Sequence, residues 1–244
     1  MNISLLALIL VGTLLWTTPA QAAEPAPAHP DSGLLSLWTS EELAGSESDR
    51  IIGAVTEPDG TTPTGSMPQQ VIGPTQAIGP AKPRGLIRRV NIPGERKLVA
   101  ITFDMCERAN TVAGYNNQIV NLLRGQRAKA TFFMGGKWMR SHPEKAMQLL
   151  ADARFELGNH NWTHGNLALM TEAEQRTQLD LAQRQYALLR GELAARAEAK
   201  GLGAAMRAVP QTMRTVRLPY GRSSELALRT LSELGYDVIQ WDVE

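Results

Sequence analysis

Two histidines, His160 and His164, lie four residues apart in Gly158-Asn159-His160-Asn161-Trp162-Thr163-His164-Gly165. Neutral imidazole is the commonest side-chain ligand for zinc-like ions, and a loop flanked by Gly and Asn can turn two rings toward one ion without helical geometry. A His-x-x-x-His pair also arises by chance on solvated loops, so its surroundings decide. His29, in a Pro-rich stretch, and His142, beside a helix start, have no comparable setting. Asp104 ends the apolar run Leu98 to Phe103, where an ionised carboxylate is costly unless it faces a polar cleft or a cation; capping the next helix is its plainer role. Arg217, in Val216-Arg217-Leu218-Pro219-Tyr220-Gly221, leaves another strand end. Aimed at Asp104 it would keep that carboxylate ionised; a surface arginine beside a proline turn is the alternative.

These residues need a scaffold that brings strand ends together. Apolar runs alternate with amphipathic stretches after Gly85. Strands are predicted at 98–103, 130–133, 155–158, 215–218 and 237–241. A helix is predicted from Val112 to Leu122, on the spacing of Val112, Tyr115, Ile119 and Leu122. Ser141 to Glu144 and Thr171 to Glu174 read as capping boxes, the second opening a long helix toward Leu193. A further helix is predicted from about Ser223 to near Gly235. Such alternation implies a mostly parallel α/β sheet or barrel, whose site lies at the C-terminal strand ends.

The 244 residues carry 25 basic and 24 acidic side chains without long runs, a formal charge of +1, and 43% apolar content. That suits a packed domain and lacks the basic footprint of a nucleic-acid partner. Ile3 to Trp16 is almost wholly apolar and leads to Ala20-Gln21-Ala22, a small-x-small site; a signal peptide over 1–22, cut before Ala23, is expected. Its length falls short of a bilayer span, so no stable membrane anchor is expected. Residues 23–85, rich in Pro and Gly, read as a low-complexity linker in which Leu34 to Val55 could form a short helix. The domain proper is placed at 86–244. Cys106 is the single cysteine, which excludes an intrachain disulfide and, with export, suggests the periplasm or cell surface.

Several ordered segments resemble the NodB-homology polysaccharide deacetylases, carbohydrate esterase family four, over roughly Lys97 to Glu244. They are Thr102-Phe103-Asp104, Thr131-Phe132-Phe133 with Gly135-Gly136, Gly158-Asn159-His160 through His164, Arg217-Leu218-Pro219-Tyr220-Gly221, and Leu234-Gly235-Tyr236 through Glu244. The resemblance implies a distorted (β/α) barrel and hydrolytic removal of N- or O-acetyl groups from an acetylated polysaccharide: peptidoglycan, a chitin-like polymer or an exopolysaccharide. It implies Asp104 as the general base toward the attacking water, His160 and His164 as ligands of a divalent metal, zinc foremost with cobalt or nickel also suitable, and Arg217 as the residue orienting Asp104. The Tyr220 backbone N–H would help stabilise the oxyanion.

The sequence departs from the family at two places. Met105 stands where a second aspartate would be the third metal ligand, and a thioether suits such an ion poorly. Glu107 is expected to supply that ligand instead, with Cys106 or water as alternatives. The sequence also stops at Glu244, before the family's final histidine motif, so no catalytic acid is assigned and an incomplete barrel with an open sheet edge is expected. A glycan-binding pseudoenzyme is the competing reading.

Overall fold

The structure, a computed structural model, describes residues 33–50, 53–54, 85–94, 97–108 and 111–243. The signal-peptide reading at 1–22 and most of the segment read as linker lie outside these residues.

Six strands form one sheet: β1 (Leu86–Ile87), β2 (Thr102–Met105), β3 (Ala130–Met134), β4 (Phe155–Asn159), β5 (Thr215–Val216) and β6 (Asp237–Ile239). They run in the order β1-β6-β5-β4-β3-β2, and every pairing is parallel. From β2 to β6 each strand therefore lies beside its successor in sequence, the winding of a (β/α) barrel. The two edges, β1 and β2, are themselves consecutive, and among the described residues no pairing joins them. The crossover helices are α2 (Asn117–Gly125) between β2 and β3, α3 (Gly136–Ser141) and α4 (Pro143–Ala151) between β3 and β4, α5 (Glu172–Ala199) between β4 and β5, and α6 (Glu225–Glu233) between β5 and β6. Ahead of them stands the short α1 (Ser40–Ala44).

Local chemistry fixes these boundaries. At α5, the Thr171 side chain accepts from the Glu174 N–H while the Glu174 carboxylate accepts from the Thr171 N–H, the reciprocal capping expected from sequence. The Ser141–Glu144 expectation is corrected: α4 starts at Pro143 behind a His142 N-cap that makes no side-chain cap bond. The Ser141 hydroxyl is instead directed to the Glu107 carboxylate at 2.6 Å and the Lys137 carbonyl at 3.0 Å. The helix predicted from Val112 begins at Asn117, capped by Asn116, because Thr111–Val112 pairs antiparallel with Gly53–Ala54. The first strand also starts later than the apolar run suggests. Leu98, Val99 and Ile101 are exposed and precede the register in which Thr102 to Met105 pair with Thr131 to Met134.

One core lies between the sheet and α3, α4 and α5, built on Phe132, Trp138, Met147, Leu149, Tyr186 and Leu193. Leu34 and Trp38, within the stretch read as linker, are buried in it, and Trp38 Nε1 donates to Glu144 at 3.0 Å. A second cluster under α6 joins Leu179, Val216, Leu218, Leu231 and Tyr236. Gly136 allows a close approach of the β4 loop and α5 to the start of α3: a Cβ there would stand 2.1 Å from the Trp162 ring and 2.8 Å from Ala182 Cα. That contact seats the β4 loop, which carries the histidines, against the start of α3.

Candidate metal centre and catalytic cleft

In a flat parallel sheet β5 and β2 would stand three strand spacings apart, about 14 Å, beyond the reach of one side chain. Arg217, just after β5, nevertheless donates from Nη1 to Thr102 Oγ1 at 2.8 Å and to Asp104 Oδ1 at 3.0 Å, both on β2. The sheet must therefore curl, and Arg217 spans its concave face. The guanidinium is almost fully buried, with its centre 4.2 Å from the Phe133 ring centroid and 5.8 Å from that of Trp241. Rigid aromatic faces and three acceptors, Thr102, Asp104 and the Ile239 carbonyl 3.4 Å from Nε, thus hold Arg217 in one pose, and Arg217 holds Asp104. The carboxylate itself keeps 31% of its side-chain surface exposed, so water can reach it.

The β4 loop presents the imidazoles. His160 is fully buried, and its Nδ1 lies 2.9 Å from the Arg217 carbonyl. A carbonyl only accepts, so Nδ1 carries the hydrogen and Nε2 is left with a lone pair. Nε2 has no hydrogen-bond partner and stands 3.7 Å from Asp104 Oδ2. His164 follows in the left-handed region (φ 57°), its ring centroid 5.0 Å from that of His160 and 4.5 Å from that of Tyr220; its buried Nδ1 is also unpartnered. Asn161, a residue type that tolerates φ 57°, turns the loop. The Gln178 Oε1 on α5 accepts from the backbone N–H groups of Trp162 and Thr163, and Asn161 donates to the Gly165 carbonyl. These bonds hold the loop geometry.

Burial is the main cause lowering the pKa of both imidazoles, and for His164, pushed down to about 4, the neighbouring His160 adds to it. Both are therefore neutral near neutral pH, the form that binds metal.

Of the candidate donors around Met105, Cys106 and not Glu107 is brought beside the imidazoles. Successive strand side chains alternate between faces, so with Asp104 on the concave side, Met105 turns to the hydrophobic core and Cys106 returns to the side of Asp104. Met105 packs against the main core. Cys106 Sγ and one ring nitrogen from each of His160 and His164 lie within 4.8 Å of one another. Glu107 falls on the opposite side and the structure does not bring it to the centre. It is buried, with Oε1 accepting from the Ala113 N–H at 3.1 Å and Oε2 from the Ser141 hydroxyl, and His142 Nδ1 lies 3.5 Å away. Burial raises its pKa, opposed by the Ser141 and Ala113 hydrogen bonds and by Lys137 and Arg140. Glu107→Ala is expected to cost about 1–3 kcal/mol of stability, because the Ala113 N–H loses its acceptor, and to leave bound metal unchanged. Thermal melting and metal analysis of the same preparation check both parts.

An open cleft of about 800 Å³ surrounds the centre, lined by Asp104, Cys106, His164, Asn166, Tyr220, Arg222 and Trp241. Tyr220 sits on its wall in a left-handed turn (φ 60°, ψ 10°) just after Pro219, with its side chain half-exposed. Sequence reasoning missed Asn166 and Arg222, which belong to no strand-end acid or ligand pattern and are signalled only by proximity to His164 and Tyr220; Trp241 falls in the resembling segment Leu234 to Glu244 but was given no role there.

With the fold and site in place, the comparisons support the resemblance to the polysaccharide deacetylases of the NodB-homology type, carbohydrate esterase family four. Residues 91–197 match the family described as polysaccharide deacetylase. Among its curated relatives are a chitin deacetylase of Pestalotiopsis sp., 30% identical over 150 residues covering 59% of this chain and 41% of the relative, and the peptidoglycan-N-acetylmuramic acid deacetylase PdaC of Bacillus subtilis, 27% identical over 159 residues covering 65% and 28%. The chain thus spans less than half the length of these two relatives. A solved structure of PdaC is similar over 60% of this chain and 59% of its own, with 27% identity and a TM-score of 0.43.

Proposed function

We propose that this domain is a metal-dependent hydrolase that removes acetyl groups from an extracytoplasmic polysaccharide, with peptidoglycan and chitin-like polymers as the first substrates to test. The observation that carries the reading is the convergence, at one end of the curled sheet, of an Arg217-held carboxylate and two neutral imidazoles, each with a buried nitrogen that has no hydrogen-bond partner, His160 Nε2 foremost. That orphaned nitrogen is costly without a partner, and a two-imidazole donor set suits zinc, cobalt or nickel. His160 and His164 would hold the ion, which when bound supplies Lewis acidity that polarises an acyl oxygen and makes water a stronger acid.

The remaining work falls to the chain's own groups. Asp104, kept in place by Arg217, accepts the proton of the attacking water. The tetrahedral oxyanion is stabilised by the Tyr220 backbone N–H. As the bond from acyl carbon to nitrogen or oxygen breaks, the departing group needs one proton, and Asp104 carries the one it has just taken. Acetate leaves, and the hydroxyl or amine stays on the glycan. The cleft walls of exposed Tyr220 and partly buried Trp241 suit the apolar faces of a sugar ring.

The reading also places the protein outside the cytoplasm, at the periplasm or cell surface, where such polymers lie. No helix among the described residues is long and apolar enough to cross a membrane. The test is acetate release from acetylated chito-oligosaccharide and from peptidoglycan by zinc- or cobalt-supplemented protein, with and without chelator. Chelator-sensitive release is expected. Glycan binding without acetate from metal-loaded protein would establish the pseudoenzyme instead.

A further inference from the structure

The two histidines leave a metal site short of a third protein donor, and the residue on the strand side of the cleft is neither an aspartate nor the nearby glutamate. Cys106 occupies that position. It is the first residue after β2 and shares the concave face with Asp104 through strand alternation. The chain closes there over Gly135, whose N–H donates to the Met105 carbonyl at 2.7 Å; a Cβ on Gly135 would stand 3.4 Å from that carbonyl oxygen and 3.6 Å from Cys106 Cα. The thiol lines the cleft and is only half-buried, so an arriving ion can reach it.

Three observations converge. The Cys106 sulfur and the two imidazole nitrogens lie within 4.8 Å of one another. The fully buried His160 Nε2 lacks any hydrogen-bond partner. The two competing donors are accounted for elsewhere, Met105 in the core and Glu107 in its own hydrogen bonds. Bonds of about 2.0–2.1 Å to nitrogen and 2.3 Å to sulfur then require only modest convergence of side chains.

We propose that Cys106 supplies a thiolate as the third protein ligand, so that this chain holds its ion with two histidines and one cysteine. The inference rests on the metal-centre reading above and changes its chemistry. On binding, the thiol proton passes to solvent and sulfur donates to the ion. One negative charge enters the first coordination sphere, as a carboxylate would supply, but on a soft donor. Softness favours zinc, cobalt and cadmium over manganese and magnesium.

The test uses the full chain, metal-free and then titrated with cobalt(II). A sulfur-to-cobalt charge-transfer band in the near ultraviolet is expected, and with 1 cysteine in the sequence a thiolate band has a single source. Cys106→Ser should lose the band and bind cobalt about tenfold or more weakly, since even outer-shell changes at metal sites cost about 10–100-fold. Cys106→Asp should lose the band yet recover affinity, with its preference shifted toward manganese. Cobalt bound stoichiometrically without the band overturns the cysteine assignment and leaves the two-histidine centre standing. Failure of the wild-type chain to take up cobalt or zinc at all overturns the metal-centre reading itself. The wild-type spectrum decides the matter even where a variant folds poorly.

Discussion

Asp104→Asn is expected to lower acetate release by about 10²–10⁴-fold, the usual contribution of a positioned general base, while the protein stays folded and keeps its metal. The asparagine is nearly isosteric, so its oxygen still accepts from Arg217 Nη1, now 3.0 Å from Asp104 Oδ1. Arg217 keeps Thr102 Oγ1 and its contacts with Phe133 and Trp241. What is lost is the ability to accept a proton. Metal analysis on the same preparation separates two roles, because Asp104 Oδ2 lies only 3.7 Å from His160 Nε2. Activity lost with metal retained identifies a base; metal lost as well would make Asp104 a ligand and remove it from the proton-transfer step. Arg217→Lys extends the argument. A lysine carries the charge but not the planar fork that reaches Thr102 and Asp104 together, so an intermediate loss is expected.

The sequence made Asp104, Arg217 and the histidine pair legible for a physical reason: each lies just beyond an apolar run whose alternation with helices implies parallel strands, and the C-terminal ends of such strands are where a barrel gathers its polar groups. The barrel winding was legible on the same ground. What escaped was governed by side-chain direction and non-local contact. Glu107 lies closer in composition to the expected ligand than Cys106 does, yet it points away; extending the period-two alternation from Asp104 past Met105 would have put Cys106 on the concave side and Glu107 opposite. The run Leu98 to Ile101 has the composition of a buried strand but lies beyond the residues that pair with β3, and nothing local marks that limit. Ser141, a fitting cap by type, is claimed by a carboxylate 34 positions earlier in the chain. Leu34 and Trp38 are buried by a core assembled from residues a hundred positions away.

His160→Ala should strip the centre of bound ion at stoichiometric supply. The imidazole is fully buried and fixed through Nδ1 to the Arg217 carbonyl, so its lone pair points one way. The variant also orphans that carbonyl, at a cost of about 1–3 kcal/mol; melting of metal-free wild type and variant isolates this part. Acid probes the same pair without mutation. An unfolded histidine takes up its proton near pH 6.5, whereas burial, with His160 adding for His164, holds the folded His164 neutral down to about 4. Between those values the unfolded chain binds more protons than the folded one, so folding stability falls as pH descends. The full contribution is present above about 6.5 and is gone below about 4. Metal-free protein should therefore melt at progressively lower temperature across that window, and bound zinc should oppose the decline because protons must compete for the same nitrogens. In His164→Asn the slope assigned to His164 disappears, while His160, also held down by burial, still titrates. An unchanged slope in that variant would place the acid sensitivity elsewhere in the protein.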